Sequence, residues 1–252
     1  MTRIIVHGLG RLGGAVSELA QQDSGFGVAA AIDCNTGAVL HPGFAVYAGV
    51  DDCEEEADVI VDCSTAAAVG TIVSYALAKK IPIVICTTAL EEETLRQIDA
   101  ASAEIPVFLS ANMSLGVNLM AGLVKTATKA LNGVGFDIEI IERHHSQKID
   151  APSGTAKLLA DSIFEAIGPR PMVYDRSPLL AKRGAGEIGI HSIRGGNITG
   201  DHTVLFAGPE EIIEIKHSAL SRKVFAQGAL AAAKFIAARP AGLYTMDDLI
   251  NQ

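Results

Sequence analysis

TRIIVHGLGRLGGAVSELAQQ, from Thr2 to Gln22, decides how the first half of the chain is read. Its opening, RIIVHG, is an apolar run of the length of a buried strand. Its second half places Leu12, Val16, Leu19 and Ala20 at helical spacing. Between them, Gly8, Leu9, Gly10, Arg11, Leu12 and Gly13 form a G-x-G-x-x-G turn leading from strand directly into helix. The first glycine permits the tight turn, the second lets a pyrophosphate approach, and the third lets helix and strand pack closely. An anion seated there meets unpaired N–H groups and the positive end of the helix dipole. Alone, such a turn can be purely structural. Here Asp33 follows Gly13 by about twenty residues, closing the next strand, where an acid binds adenosine ribose hydroxyls. Strand, helix and acid together predict a bound dinucleotide.

Working outward, VAAAID, ADVIVDC, IPIVIC and IPVFLS are short apolar runs rich in Val, Ile and Ala, and AAAVGTIVSYALAKK and EEETLRQIDAASAE lie between the later ones. Continuous apolar strands alternating with helices predict a parallel sheet covered on both faces, a Rossmann-like, doubly wound α/β domain over 1–113. The pattern then changes. LGVNLMAGLVKTATKALN predicts a long helix, and FDIEIIER alternates with partial period two. EIGIHSIRGG, HTVLFAG and EIIEIKH are strands joined by glycine-bearing turns, which predicts an α+β domain over 114–222 with a mainly antiparallel open sheet. In the last segment, 223–252, SRKVFAQGALAAAKFIAAR predicts a helix closed by Pro240 and returning to the first domain.

Composition excludes several classes of function. The 252 residues are 49% hydrophobic and carry a formal charge of −9, so a packed core is expected and the basic face that nucleic acid requires is not. No stretch reaches the roughly 18 apolar residues of a membrane span. The first apolar run breaks at His7 and Gly8, too early for a signal peptide. Cys34, Cys53, Cys63 and Cys86 show no C-x-x-C spacing and read as free thiols in a reducing cytoplasm.

ERHHSQKIDAPSGTA, residues 142–156, is the most polar ordered stretch of the second half. Continuing the strand alternation puts His144 and His145 on opposite sides of the chain, against a shared metal. No H-E-x-x-H motif supports one either, so no metal is expected. The pair serves as structural hydrogen-bonding residues or supplies a proton donor near neutrality. Lys148 is a solvated charge or a fixed ammonium beside developing negative charge. After Pro152, a helix begins with Ser153 or Thr155 as its cap. Gly154 and Thr155 are there a plain first turn or a cradle for a carboxylate. Lys148 beside such a cradle suggests a small acidic substrate. As for the cofactor, Asp33 repels a 2′-phosphate, CNTG after it holds no arginine, and Arg11 is the one close cation. NADH is therefore expected to serve at least as well as NADPH.

The same stretch resembles the signature of the 4-hydroxy-tetrahydrodipicolinate (dihydrodipicolinate) reductase family of bacterial lysine and diaminopimelate synthesis. The family pattern, close to E-x-H-H-x-x-K-x-D-A-P-S-G-T-A, is matched at every fixed position. GLGRLG, VDCS, CTTA, SANMSLGVN, RGGNITGDHTVLFAGPEE and EIKHSALSR extend the resemblance over nearly the whole chain. It implies reduction of a cyclic unsaturated dicarboxylate at C4 by a nicotinamide hydride, with loss of the 4-hydroxyl as water, in a cytoplasmic homotetramer. It further implies His144 as proton donor and Lys148 as a second donor or charge stabiliser, with His145, Gly154 and Thr155 contacting substrate. Cys86, Thr87 and Thr88, with Ser110, Ala111, Asn112 and Met113, would hold the nicotinamide end, and Asp33 the ribose. Hinges are expected near 113–116 and 222. This chain departs from the family's common G-T-T-G with Cys86 and Ala89, has Cys34 where many members carry arginine, and has Met113 where some carry an aromatic residue. Two alternatives stand beside this reading. Another two-domain imino- or amino-acid dehydrogenase would share the glycine loop but not the His-His to Ser-Gly-Thr signature. A silent NAD-binding regulator would be expected to lose the donor or the lysine.

Overall fold

A computed structural model of the chain describes residues 1–36 and 43–252. In chain order its elements are β1 (Thr2–His7), α1 (Arg11–Gln22), β2 (Phe26–Ile32), β3 (Ala45–Tyr47), β4 (Val59–Asp62), α2 (Ala66–Lys79), β5 (Ile83–Ile85), α3 (Glu92–Ser102) and β6 (Pro106–Leu109). There follow α4 (Leu115–Leu131), β7 (Asp137–His144), α5 (Gly154–Ile167), β8 (Met172–Val173), β9 (Ile188–Arg194), β10 (Asp201–Ala207) and β11 (Ile212–Ser218). The chain closes with α6 (Lys223–Ile236), β12 (Gly242–Tyr244) and α7 (Met246–Ile250). Two compact units divide it: residues 1–115 with 223–252, and residues 116–222.

The first unit is built on a seven-stranded parallel sheet in the order β12-β6-β5-β4-β1-β2-β3. Its central strands are apolar on both faces through Ile4–Val6, Val59–Val61 and Ile83–Ile85 because helices cover both sides. Ile4, Val6, Val59, Val61 and Val84 pack with α1 and α6 on one side, and Ile5, Ile60, Ile83 and Ile85 with α2 and α3 on the other. Each of these side chains is fully buried, worth about 1.5–3 kcal/mol apiece relative to exposure. β3 and β12, at the two edges, are three-residue strands too short for sequence periodicity to mark them. Strand order reverses between β1 and β4, and the loops at the carboxyl ends of those strands frame the place where such sheets take ligands.

The second unit is a mixed five-stranded sheet, β11-β10-β7-β9-β8. It is antiparallel along β11, β10 and β7, as the alternation predicts, and parallel where β9 joins β7 and β8 joins β9. The parallel pair follows from α5, which carries the chain back across the sheet between β7 and β9. Met120 and Val124 of α4 and Leu159 and Ile163 of α5 bury Ile140, Ile190, Val204 and Phe206 on one face.

Two glycines test the packing. A Cβ on Gly228 of α6 would lie 1.6 Å from the Met113 carbonyl oxygen, whereas one on exposed Gly122 of α4 would have nothing within 4 Å. Gly228→Ala should therefore lower stability by about 3 kcal/mol or more, through forced backbone movement. Gly122→Ala should raise it by about 1 kcal/mol, through helix propensity. Urea unfolding of the two variants checks this, and effects of the same sign would refute the packing argument.

Candidate active site

In the second unit, the site begins with strand alternation. Glu142 and His144 share one face of β7 and are 0% and 8% exposed, while Arg143 on the other face pairs with Asp201 at 3.0 Å. A carboxylate buried this deeply needs partners, and Glu142 has them on both oxygens. Arg194, at the end of β9, grips it in bidentate fashion, Nη2 to Oε1 at 2.7 Å and Nη1 to Oε2 at 2.8 Å. The Ser153 amide donates to Oε1 at 3.1 Å, and His144 Nδ1 donates to Oε2 at 2.6 Å. Burial works to raise the Glu142 pKa, but the hydrogen bonds from Arg194, Ser192 and His144 outweigh it and bring it down to about 2. Glu142 is therefore ionised and can only accept, so His144 carries its fixed proton on Nδ1 and leaves Nε2 for exchange. Gly200 keeps that atom clear, since a Cβ there would stand 3.0 Å from it. Burial holds the His144 pKa below its ordinary value, with the bond to Glu142 pulling the other way.

His202 of β10 lies edge-on to His144, ring centroids 5.1 Å apart, with Nε2 3.0 Å from the Ser153 hydroxyl. Burial, reinforced by His144, pushes its pKa down to about 4. Of the two caps the sequence allowed, Ser153 serves: its Oγ accepts from the Ala156 amide at 3.2 Å. Gly154 is exposed at the first position of α5, and Thr155 follows half-buried. His145, just beyond β7, lies 3.2 Å from Arg222. Lys148 donates to Asp150 at 2.7 Å, which lowers the Asp150 pKa, and the Asp150 carbonyl accepts from Arg194 at 2.6 Å. His144, Ser153 and the start of α5 thus meet around Glu142, and Lys148 joins through the loop that Arg194 ties down. No hydrogen bond links Lys148 to His144. Among the described residues no cluster of His, Cys, Asp and Glu could hold a metal ion.

In the first unit the glycine loop borders a cavity of about 480 Å³ lined by His7, Gly8, Gly10, Asp33, Cys34, Cys63 and Ser64. Gly8 adopts φ +84° and lies against Cys63 and Ser64, and a Cβ on Gly13 would stand 1.8 Å from the Gly8 carbonyl oxygen. Nothing lies within 4 Å of a Cβ placed on Gly10, so a phosphate can approach that backbone. The residues present therefore fit a dinucleotide. Asp33 receives the Leu9 amide at 2.6 Å on one oxygen and the Asn35 amide at 2.8 Å on the other. The Leu9 side chain is buried in the core and Leu12 packs against it, so both offer only backbone to the loop, and Arg11 is exposed.

Cys86, Thr87 and Thr88 follow β5. The Cys86 thiol is pushed well up by its hydrogen bond to Cys63 and by burial. Thr87 spends its hydroxyl on Asp62 at 2.6 Å, and Thr88 is exposed. Ala89 sits at φ +57°, a left-handed conformation that favours glycine. After β6, Ser110 Oγ donates to the Asn112 carbonyl at 2.8 Å and Asn112 Oδ1 accepts from the Ser114 amide at 2.9 Å. This turn leaves Ala111 exposed and Met113 buried.

Sequence reasoning missed the buried groups that organise both sites. Asp62, wholly buried, accepts from His7 Nδ1 at 2.7 Å and from Ser64 Oγ at 2.6 Å as well as from Thr87. An acid closing the apolar run ADVIVD was the available signal. For Glu142 the signal was its position two residues before His144 on an alternating strand. Arg194 and His202 had none, being placed by sheet register.

The two pKa values define two windows of acid sensitivity. His202 binds protons below the ordinary imidazole value of 6.5 when unfolded but only near 4 when folded, so stability is full above 6.5 and is lost as pH falls toward 4. The loss amounts to about 3 kcal/mol at its limit. Glu142 contributes stability that is present above 4.5 and lost as pH falls toward 2. Chemical unfolding from pH 7 to 4 should show the first loss, and His202→Gln should flatten it; an unchanged slope would remove His202 as its source.

Family models match both parts of the chain: "Dihydrodipicolinate reductase, N-terminus" over residues 2–113 and "Dihydrodipicolinate reductase, C-terminus" over residues 116–250. A 4-hydroxy-tetrahydrodipicolinate reductase of Caldanaerobacter subterraneus subsp. tengcongensis is 49% identical, covering 100% of this chain and 99% of its own length. One from Clostridium novyi is 43% identical with the same coverage. Among solved structures, a dipicolinate-bound dihydrodipicolinate reductase from Paenisporosarcina sp. TG-14 shares the fold, with a TM-score of 0.81, 24% identity and 97% of each chain covered. No helix among the described residues is long and apolar enough to cross a membrane. The glycine loop and the N-terminal family match together indicate a nicotinamide dinucleotide cofactor. The chain belongs to the dihydrodipicolinate reductase family, oxidoreductases that reduce 4-hydroxy-tetrahydrodipicolinate in lysine and diaminopimelate biosynthesis.

Proposed function

We propose that this chain reduces 4-hydroxy-tetrahydrodipicolinate to tetrahydrodipicolinate with His144 as the proton donor, and that Glu142 is what fits His144 for the task. The bond from His144 Nδ1 to the buried Glu142 carboxylate carries this reading. It fixes the ring's orientation and tautomer, and the anion stabilises the imidazolium. A nicotinamide dinucleotide held at the glycine loop would supply a hydride for C4, with the 4-hydroxyl lost as water, and His144 supplies the proton. Residues 2–113 hold the cofactor and the unit of residues 116–222 holds the substrate. In that unit the Gly154 and Thr155 backbone, at the N-terminus of α5, receives one substrate carboxylate. The Lys148 ammonium keeps donors beyond the one given to Asp150 and faces the developing negative charge, and His145 completes the substrate contacts. The dipicolinate in the name of the structural neighbour, a planar dicarboxylate, accords with this division.

The cofactor loop comprises Gly8 to Gly13, Cys86 to Thr88 and Ser110 to Met113, with Asp33 on the adenosine ribose. Asp33 and Cys34 at the cavity favour NADH over or equally with NADPH. The exposed Ile193 and Ile212 of the second unit's sheet are the kind of surface that a homotetramer covers. Four free cysteines suit a reducing cytoplasm.

Steady-state kinetics with the condensation product of pyruvate and aspartate semialdehyde test the donor assignment. His144→Ala should lower kcat by about 10²–10³-fold, leaving NADH binding intact. Glu142→Gln should lower kcat by about tenfold or more and move the basic limb of its pH profile to lower pH, since an imidazolium without its anion loses the proton sooner. Loss of kcat without that movement would reduce Glu142 to a structural role, and unchanged turnover in His144→Ala would remove the donor.

The cofactor reading predicts a kcat/KM for NADH at least equal to that for NADPH. Cys34→Arg should raise NADPH use by about tenfold through a new 2′-phosphate partner. A strong native preference for NADPH would refute the reading of Asp33.

A further inference from the structure

The second unit holds another cavity, of about 440 Å³, where the chain enters β7: Phe136, Asp137 and Ile138 line it, while His144 ends the strand roughly 20 Å away. Leu131, Ile167, Ile188 and Phe206 supply apolar walls. Two polar groups at this cavity are unspent. Thr128, on α4, is 1% exposed, and its Oγ1 is buried with no hydrogen-bond partner. That is unusual within this molecule: Ser17, Ser74, Thr126 and Ser162 each donate to the carbonyl four residues earlier in their helices. A buried hydroxyl left unpaired costs about 1–3 kcal/mol. The second group is Arg170, half-buried just beyond α5, for which no acidic partner stands among the described residues. The neighbouring charges are already matched. Asp137 pairs with Arg183 at 2.6 Å, and Glu187 pairs with Arg176. Among the described residues lining the cavity, Arg170 is thus the cation still available.

An apolar chamber with one unspent cation and one unspent hydroxyl matches a particular chemistry. Its volume lies in the range of small-molecule sites. We infer that this cavity is a second binding site, distinct from the His144 cluster, for a small carboxylate with a compact hydrocarbon body. The carboxylate would take the Arg170 guanidinium, a charge-assisted bond, and the body would lie among Phe136, Ile138 and Phe206.

The probes are 3-phenylpropionate and its neutral amide, titrated into the full-length protein saturated with dipicolinate, by calorimetry and by isoleucine methyl NMR. Saturable binding of the carboxylate that shifts the Ile138 and Ile188 signals is expected. The amide, and the carboxylate with Arg170→Gln, should each bind about tenfold more weakly. Thr128→Val, which removes the hydroxyl at constant shape, should weaken binding without lowering stability. Turnover in Arg170→Gln should match the parent, showing that the fold and the His144 site are intact. No saturable binding, displacement by dipicolinate, equal binding of the amide, or undiminished affinity in Arg170→Gln would each overturn the proposal.

Discussion

The second unit depends on the carboxylate of Glu142. Taking an ionised group wholly out of water costs several kcal/mol, and the structure offsets this with a bidentate arginine, a backbone amide and an imidazole. Each partner is itself fixed by the bond it makes. Arg194 ties the end of β9 to the Asp150 carbonyl, Ser153 sets where α5 starts, and His144 is held in one tautomer. Removing the charge would disturb all three together, so the loop, the helix start and the imidazole form one cooperative group rather than three neighbours.

The first unit repeats the device with Asp62. This buried acid closes β4 and receives His7 from the end of β1 and Thr87 from the end of β5, so one carboxylate joins three adjacent strand ends beside the glycine loop. Asp33 does a similar service for the Leu9 amide. In each unit the chain lays down apolar strands by the hydrophobic effect, which is non-directional. Geometry at their carboxyl ends is then set with charged hydrogen bonds, which are directional.

That division explains what could be read in advance. The apolar runs of β1, β4 and β5 and the helical spacing of α1, α2 and α5 are local periodicities, visible in any window of the sequence. β3, β8 and β12 are two or three residues long and exist because a neighbouring strand offers its edge, so no local pattern announces them. The signature from Glu142 to Ala156 marked the stretch around which the buried Glu142 cluster assembles. Its supports did not lie within it: Arg194 and His202 stand 52 and 60 positions beyond Glu142 and come close to it in the fold only because β9 and β10 flank β7. Thr87 illustrates the converse, a residue expected to hold the cofactor whose hydroxyl is directed into the protein.

The division into units has a consequence for synthesis. Residues 116–222 are contiguous, whereas the first unit is interrupted and is completed only by residues 223–252. α6 carries Ala226, Ala229, Ala233 and Ile236, fully buried against the β4–β6 face, and β12 covers the β6 edge. As the chain leaves the ribosome, the later unit has all its parts while the earlier one still shows an uncovered sheet face. The unit that is translated first is thus the one that finishes folding last.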